Sequence, residues 1–181
     1  MIFKATKLAG AQVIELERRG DERGYFARTF CEREFADHGL PTHFPQCNTS
    51  FNARAGTLRG MHFQAAPQRE AKLVRCTRGA IYDVIVDLRV DSPTRFEWIG
   101  VELTQDNGTA LFIPEGFAHG FLTRADATEV FYHMSDFHRP EGARGVRWDD
   151  PRFSIRWPVA PSVISERDAT YPDFDPSRFD G

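Results

Sequence analysis

The sequence predicts an all-β fold, a two-sheet jelly roll or an open barrel with a few short helices, and three observations carry that expectation. Apolar residues recur with period two in several segments, turn signals separate those segments at near-regular intervals, and helical periodicity is scarce. The chain has 181 residues and shows no linker-like stretch, so residues 1–181 read as a single domain. Its 41% hydrophobic and 27% charged residues are ordinary for a soluble globular protein and exclude disorder, collagen and a membrane bundle. Folding at this size buries roughly 70% of the unfolded chain's surface, enough for a core without disulfide or metal staples. The 16 Phe residues suit a broad sandwich core or ring-lined pockets.

The elements follow in order. Residues 32–38 are the best helical candidate, with Phe35 on the inner side and Gly39 placed to cap the C-terminus. Strands run from near residue 20 to residue 160. In the clearest of them Tyr82, Val84, Val86 and Leu88 point one way while Asp83, Ile85 and Asp87 point the other. Ile99, Val101 and Leu103 alternate with Trp98 and Glu102, and Val130, Tyr132 and Met134 alternate with Glu129, Phe131 and His133. Turn signals fall at Arg78-Gly79, Asp91-Ser92-Pro93, Asp106-Asn107-Gly108 and Pro114-Glu115-Gly116. A short helix is expected after Ser165, whose hydroxyl is followed three residues later by Asp168. From about Tyr171 the prolines break regular structure, so 171–181 is expected to be an irregular tail pinned to the surface by Tyr171 and Phe174.

Charge and cysteine content narrow the function. The 23 basic and 26 acidic residues are mixed along the chain, so no polybasic tract offers a footprint for nucleic acid or a membrane surface. Cys31, Cys47 and Cys76 are an odd number at wide spacing, which fits idle thiols in a reducing compartment and not a disulfide framework or a zinc site. Lys4, Lys7, Glu15 and Glu17 break any signal-peptide core and no window approaches 18 apolar residues, so a cytoplasmic location is expected.

No Gly-x-Gly-x-x-Gly, phosphate-loop or nucleophile-elbow motif is present, which argues against the common nucleotide-binding and serine-hydrolase routes. Jelly rolls that hold a metal often use a His-x-His pair, and none occurs, so no metal is expected. His62 and His119 stand alone among apolar neighbours, the usual setting of satisfied core histidines. Their company alters that reading: Arg59 lies three residues before His62, and the run from Lys72 to Arg78 adds further cations near an apolar strand. Cations inside a barrel need an anion, which a phosphorylated or nucleotide-linked ligand supplies.

Seven stretches then carry a resemblance. They are residues 21–26 (Asp-Glu-Arg-Gly-Tyr-Phe), 46–50 (Gln-Cys-Asn-Thr-Ser), 58–64 (Leu-Arg-Gly-Met-His-Phe-Gln), 72–74 (Lys-Leu-Val), 83–89, 113–121 and 147–151 (Arg-Trp-Asp-Asp-Pro). In order and spacing they resemble the dTDP-4-dehydrorhamnose 3,5-epimerase family. The resemblance implies a cupin-like jelly-roll homodimer that uses no cofactor and inverts C3 and C5 of a nucleotide-linked 4-keto-6-deoxyhexose. Both carbons flank the C4 ketone, so a base must remove a proton, the enolate must be stabilised, and an acid must reprotonate the opposite face. By the same resemblance His62 is the base, Tyr132 the acid, and Lys72 places its ammonium near the C4 oxygen. Asp168 would orient His62 as a triad carboxylate does, and Asp83 would do the same for His119. Nucleotide and diphosphate contacts fall to Arg23, Phe26, Gln46, Asn48, Arg59, Arg167 and His138.

Three positions depart from the family pattern. Arg28, His138 and Ala143 replace an acid, a tyrosine that stacks on the base and a second acid. All three are expected on the side that reads the nucleotide, so the reading includes weaker binding of dTDP or a preference for another nucleotide. An epimerase of one centre only, and a non-catalytic sugar-nucleotide binder of cupin type, are the competing readings. The reaction of both centres would feed L-rhamnose or a related deoxysugar into polysaccharide or a glycosylated metabolite.

Overall fold

Two antiparallel sheets face each other in the computed structural model, which describes residues 1–178. In chain order the strands are β1 (Ile2–Ala5), β2 (Gln12–Glu15), β3 (Arg19–Asp21), β4 (Gly24–Phe26), β5 (Gln46–Asn52), β6 (Thr57–Gln64) and β7 (Lys72–Arg78). They continue as β8 (Ala80–Asp87), β9 (Trp98–Thr104), β10 (Ala110–Ile113), β11 (Phe117–Thr123), β12 (Thr128–Met134), β13 (Ala143–Gly145) and β14 (Val163–Ile164). The first sheet has the order β1-β2-β10-β7-β12-β5 and the second β13-β6-β11-β8-β9, with β14 added parallel to β6. Strands β3 and β4 form a separate hairpin. Non-sequential neighbours in both sheets give the jelly-roll connectivity that the alternating pattern predicted.

The main core lies between the sheets, where Val74 and Cys76 of β7, Val130 of β12, Ile81 and Ile85 of β8 and Leu103 of β9 are buried together. Each sheet also buries part of its outer face. On the first, Ile14, Leu73 and Phe112 pack under Phe35 of α1 (Glu32–Asp37). On the second, Met61, Phe63, Val84 and Val86 lie beneath a covering segment that includes Phe153, Trp157 and Phe174. The two faces of β8 therefore alternate as expected, yet both are buried, and Asp83 is turned into the barrel with no exposed surface.

The chain forms strands earlier than the expected start near residue 20. β1 and β2 pair as a hairpin at the edge of the first sheet, and their mixed exposure hides the period-two signal. The four expected turns fall between β7 and β8, β8 and β9, β9 and β10, and β10 and β11. α1 ends as predicted: Gly39 takes φ +67° and its N–H donates to the Ala36 carbonyl at 2.9 Å. α2 (Glu166–Ala169) starts at Ser165, whose Oγ accepts from the Asp168 N–H at 3.2 Å. The tail is not merely surface chain, since Phe174 joins the outer core and its N–H donates to Asp150 Oδ2 at 2.6 Å. Residues 179–181 of the expected tail lie outside the described residues. No helix among the described residues is long and apolar enough to cross a membrane.

One irregularity shapes the site. β11 pairs His119 with His62 of β6 and Phe121 with Arg59, so three steps on β6 match two on β11. The extra residue is a β-bulge. Gly60 sits in it at φ +139°, and a Cβ there would stand 2.5 Å from the Gly120 Cα. Only glycine allows the two backbones to approach so closely.

Candidate active site

The concave end of the sandwich holds two adjoining chambers. The inner one, about 420 Å³, is lined by Arg59, His62, Lys72, His119, Phe121 and Tyr132 together with Thr49, Ser50 and Phe51. The outer one, about 700 Å³, carries Gln46, Asn48, Glu70, His138, Arg144, Arg167 and Tyr171 among its walls. His62, Lys72 and Tyr132 belong to both. They form the wall where the chambers meet. Strand alternation explains two of these placements, because Lys72 shares an inward face with Val74 and Cys76, and Tyr132 with Val130. The bulge explains the third: Arg59 and His62 are an odd number of residues apart, yet both line the inner chamber.

His62 Nε2 lies 2.8 Å from Asp168 Oδ1, and the carboxylate's other oxygen accepts from the Gly60 N–H at 3.2 Å. An ionised carboxylate only accepts, so Nε2 carries a proton and Nδ1 holds the lone pair. Burial pushes the Asp168 carboxyl up, but its contacts with His62, the Gly60 N–H and Arg167 outweigh that and hold it below its ordinary value. Arg167 stands against the pair, with Nε 3.3 Å from Asp168 Oδ1 and Nη2 3.2 Å from His62 Nε2.

A second pair is built on the same plan. His119 Nε2 lies 2.7 Å from Asp83 Oδ1, deep in the barrel, and Asp83 Oδ2 is buried without a hydrogen-bond partner among the described residues. Lys72 Nζ is 3.0 Å from Glu70 Oε1, with both side chains largely buried. Burial pushes the Tyr132 phenol up; the nearby Arg59 charge opposes this and Glu70 adds to it. The phenol is therefore a protonated donor at neutral pH. Arg59 itself reaches across to the other sheet, donating from Nε to Asn52 Oδ1 at 2.7 Å.

The structure thus brings His62, Lys72, Tyr132, Asp168, Arg59, His119 and Asp83 together, with Gln46, Asn48, Arg167 and His138 around the outer chamber. It does not bring Arg23 and Phe26 to that cavity. Both stand on the β3–β4 hairpin, where Phe26 is 72% exposed and Arg23 is tied to Asp21 by its Nη2 at 2.5 Å. Of the three departures, His138 and Ala143 line the outer chamber, and His138 Nδ1 is 3.1 Å from Gln64 Nε2. Arg28 lies elsewhere, its guanidinium paired with Glu34 of α1 at 2.7 Å. Arg75 also leaves the inward set that the run from Lys72 to Arg78 suggested, since it occupies the opposite face of β7.

Sequence reasoning did not single out Glu70 or Gln64, and it placed Tyr171 on the surface. Glu70 left a signal: an acid two residues before Lys72 at the start of a strand falls on the same face. Gln64 left one too, two residues after His62. Tyr171 left none, because the chain there has no period.

An oriented imidazole, a protonated phenol and an ammonium around one cavity can remove and return a proton next to a carbonyl and neutralise the intermediate charge. No group of three or more His, Cys, Asp or Glu among the described residues is placed to hold a metal ion. A family model described as dTDP-4-dehydrorhamnose 3,5-epimerase matches residues 5–176. The dTDP-4-dehydrorhamnose 3,5-epimerase of Methanothermobacter thermautotrophicus is 48% identical over 172 residues, which cover 93% of this chain and 92% of that protein. The Bacillus anthracis dTDP-4-dehydrorhamnose 3,5-epimerase, solved with TDP and PPi bound, matches with a TM-score of 0.92 at 39% identity over 96% of this chain and 99% of that one. The Legionella pneumophila dTDP-6-deoxy-D-glucose-3,5-epimerase, solved in complex with dTDP-4-keto-L-rhamnose, matches with a TM-score of 0.87 at 35% identity, covering 94% of this chain and 90% of that one.

Proposed function

Because this chain belongs to the dTDP-4-dehydrorhamnose 3,5-epimerase family, we propose that it is an isomerase that inverts C3 and C5 of dTDP-4-dehydro-6-deoxyglucose. The observation that carries this reading is the His62–Asp168 pair at 2.8 Å, set in the wall that Lys72 and Tyr132 share between the two chambers. The C–H bond at C3 or C5 breaks, its proton passes to His62, and its electron pair moves onto the C4 oxygen as an enolate. The Lys72 ammonium offsets that charge. Tyr132 then gives its proton to the opposite face of the carbon, after which the phenolate recovers a proton from solvent and the imidazolium loses one. Asp168 stabilises the imidazolium through Nε2, and no cofactor is needed for these steps.

The sugar fits the inner chamber and the nucleoside diphosphate the outer one, where Gln46, Asn48 and Arg167 face it. His138 offers the base a smaller ring than the tyrosine of the family pattern, so dTDP binds more weakly here unless neighbouring side chains compensate. Arg23 and Phe26 lie away from their own chain's cavity, which supports a homodimer whose exposed hairpin serves the partner's site. Light scattering on the purified protein tests this, and a monomer would remove both residues from substrate binding. The three free thiols fit a reducing cytoplasm.

Proton exchange tests the reaction itself. In heavy water, NMR of dTDP-4-dehydro-6-deoxyglucose is expected to show deuterium entering at both C3 and C5, followed by the epimerised product. Exchange at one carbon alone identifies a single-centre epimerase. Binding without exchange identifies a sugar-nucleotide binder. Either result refutes the proposed reaction.

A further inference from the structure

Tyr171 follows α2 in a stretch broken by proline, yet it is not a surface pin. Its ring lines the outer chamber and meets the His62 ring edge to face, with centroids 6.5 Å apart. Three contacts hold it there. Arg147 Nη1 approaches the Tyr171 carbonyl at 3.4 Å, and Arg147 Nη2 pairs with Asp173 two residues on at 2.7 Å. The ring also fills the space over Gly145, where a Cβ would stand 2.2 Å from Cζ and 2.6 Å from the hydroxyl oxygen. Gly145 of β13 is the register partner of His62, so the missing side chain makes room for a phenol directly beside the base.

The ring is only partly buried, and its hydroxyl has no hydrogen-bond partner among the described residues, so the donor is free to meet a ligand in the chamber. Burial pushes the phenol up, with Arg167 opposing the rise and Asp168 adding to it, so it is a donor at neutral pH. Lys72, Arg144 and Arg167 share the chamber walls with it, and Glu70 on the same wall is already paired with Lys72. A neutral donor set among cations in a fixed position meets an anion. In a nucleotide sugar the anion is the diphosphate.

We propose that Tyr171 is a substrate-binding residue whose hydroxyl donates to the diphosphate of the nucleotide sugar, alongside Arg167. This deepens the nucleotide-sugar reading above and rests on it.

The test is Tyr171→Phe, which keeps the ring over Gly145 and removes only the donor. Calorimetric titration of the wild type with dTDP comes first, because failure to bind would overturn the nucleotide-sugar reading and this proposal with it. The variant is then titrated with dTDP and with inorganic diphosphate, and its melting midpoint is compared with that of the wild type. We expect both ligands to bind about tenfold or more weakly, the loss of one hydrogen bond to a charged group. KM should rise in step, while the ratio of C3 to C5 exchange and the melting midpoint stay as in the wild type. Unchanged affinity for both ligands overturns the proposal. A loss confined to dTDP overturns it as well, since it places the hydroxyl on the nucleoside.

Discussion

Replacing Asp168 with Asn keeps the shape of the side chain and removes its charge, at a position only 3% exposed. When His62 takes a proton, two unit charges face each other across a 2.8 Å contact. At an effective dielectric of about 20, such a pair at about 4 Å is worth about 4 kcal/mol. The His62 side chain is a third exposed, so solvent screens part of this, and about 3 kcal/mol is a fair working figure. At about 1.36 kcal/mol per factor of ten, deprotonation should slow roughly a hundredfold. An Asn amide turned toward Nε2 would also favour the wrong tautomer, which adds to the loss. The assay is the rate of deuterium entry at C3 and C5 in heavy water, with dTDP affinity measured in parallel. Exchange at both carbons should fall by about two orders of magnitude, with dTDP binding preserved. A fall of less than about tenfold would show that Asp168 ties α2 to the β6 bulge and does not support the base. Stability gives a separate check. The folded pKa of Asp168 lies below the unfolded value of 3.8, so its ionisation stabilises the fold above that pH, and this contribution is lost as pH falls through the folded value. The stability difference between wild type and variant should therefore shrink below pH 3.8, and a difference that grows there would contradict the assignment.

Three further outcomes follow. Glu70→Ala frees the Lys72 ammonium, and because the enolates from C3 and C5 share one oxygen, exchange at both carbons should fall by the same factor, about tenfold; a loss at one carbon alone would separate Glu70 from Lys72. Gly60→Ala would put a Cβ 2.5 Å from the Gly120 Cα at φ +139°, so the urea midpoint should drop by the equivalent of about 3 kcal/mol, and an unchanged midpoint would mean that the two strands can part freely. Iodoacetamide at pH 8 should label exposed Cys47 while native Cys76 stays unmodified, because burial pushes its thiol up to about 11; mass spectrometry showing early Cys76 adducts would refute that.

Local pattern made much of the fold readable. The turn at Gly79 and the caps at Ser165 and Gly39 depend on neighbouring residues only, and each stands where expected. The alternation through Val130, Tyr132 and Met134 gave the correct inward face because one strand side packs on the other sheet. β8 shows the limit of such patterns, since a strand covered on both sides has no solvent face to mark. The site was less legible from residue chemistry alone. His62 and Asp168 meet across 106 residues, and no spacing rule predicts that contact; only the family resemblance paired them. Tyr171 was misplaced because its position depends on an empty Cβ site at Gly145, on another strand, and such shape complementarity leaves no periodic trace. Arg23 and Phe26 matched a motif, but a motif does not fix where its residues stand relative to the cavity, which is a matter of tertiary structure.

The bulge at Gly60 also separates two tasks of one strand, lining the cavity with cations and anchoring Asp168. A version of β6 one residue shorter would run in step with β11 and still turn both Arg59 and His62 inward, so it would keep a cationic, anion-accepting cavity. It would have no spare amide: the Gly60 N–H that now serves Asp168 exists outside the ladder only because the strand carries one residue too many. One extra residue in β6 thus supplies the anchor for a carboxylate that comes from more than a hundred residues further along the chain.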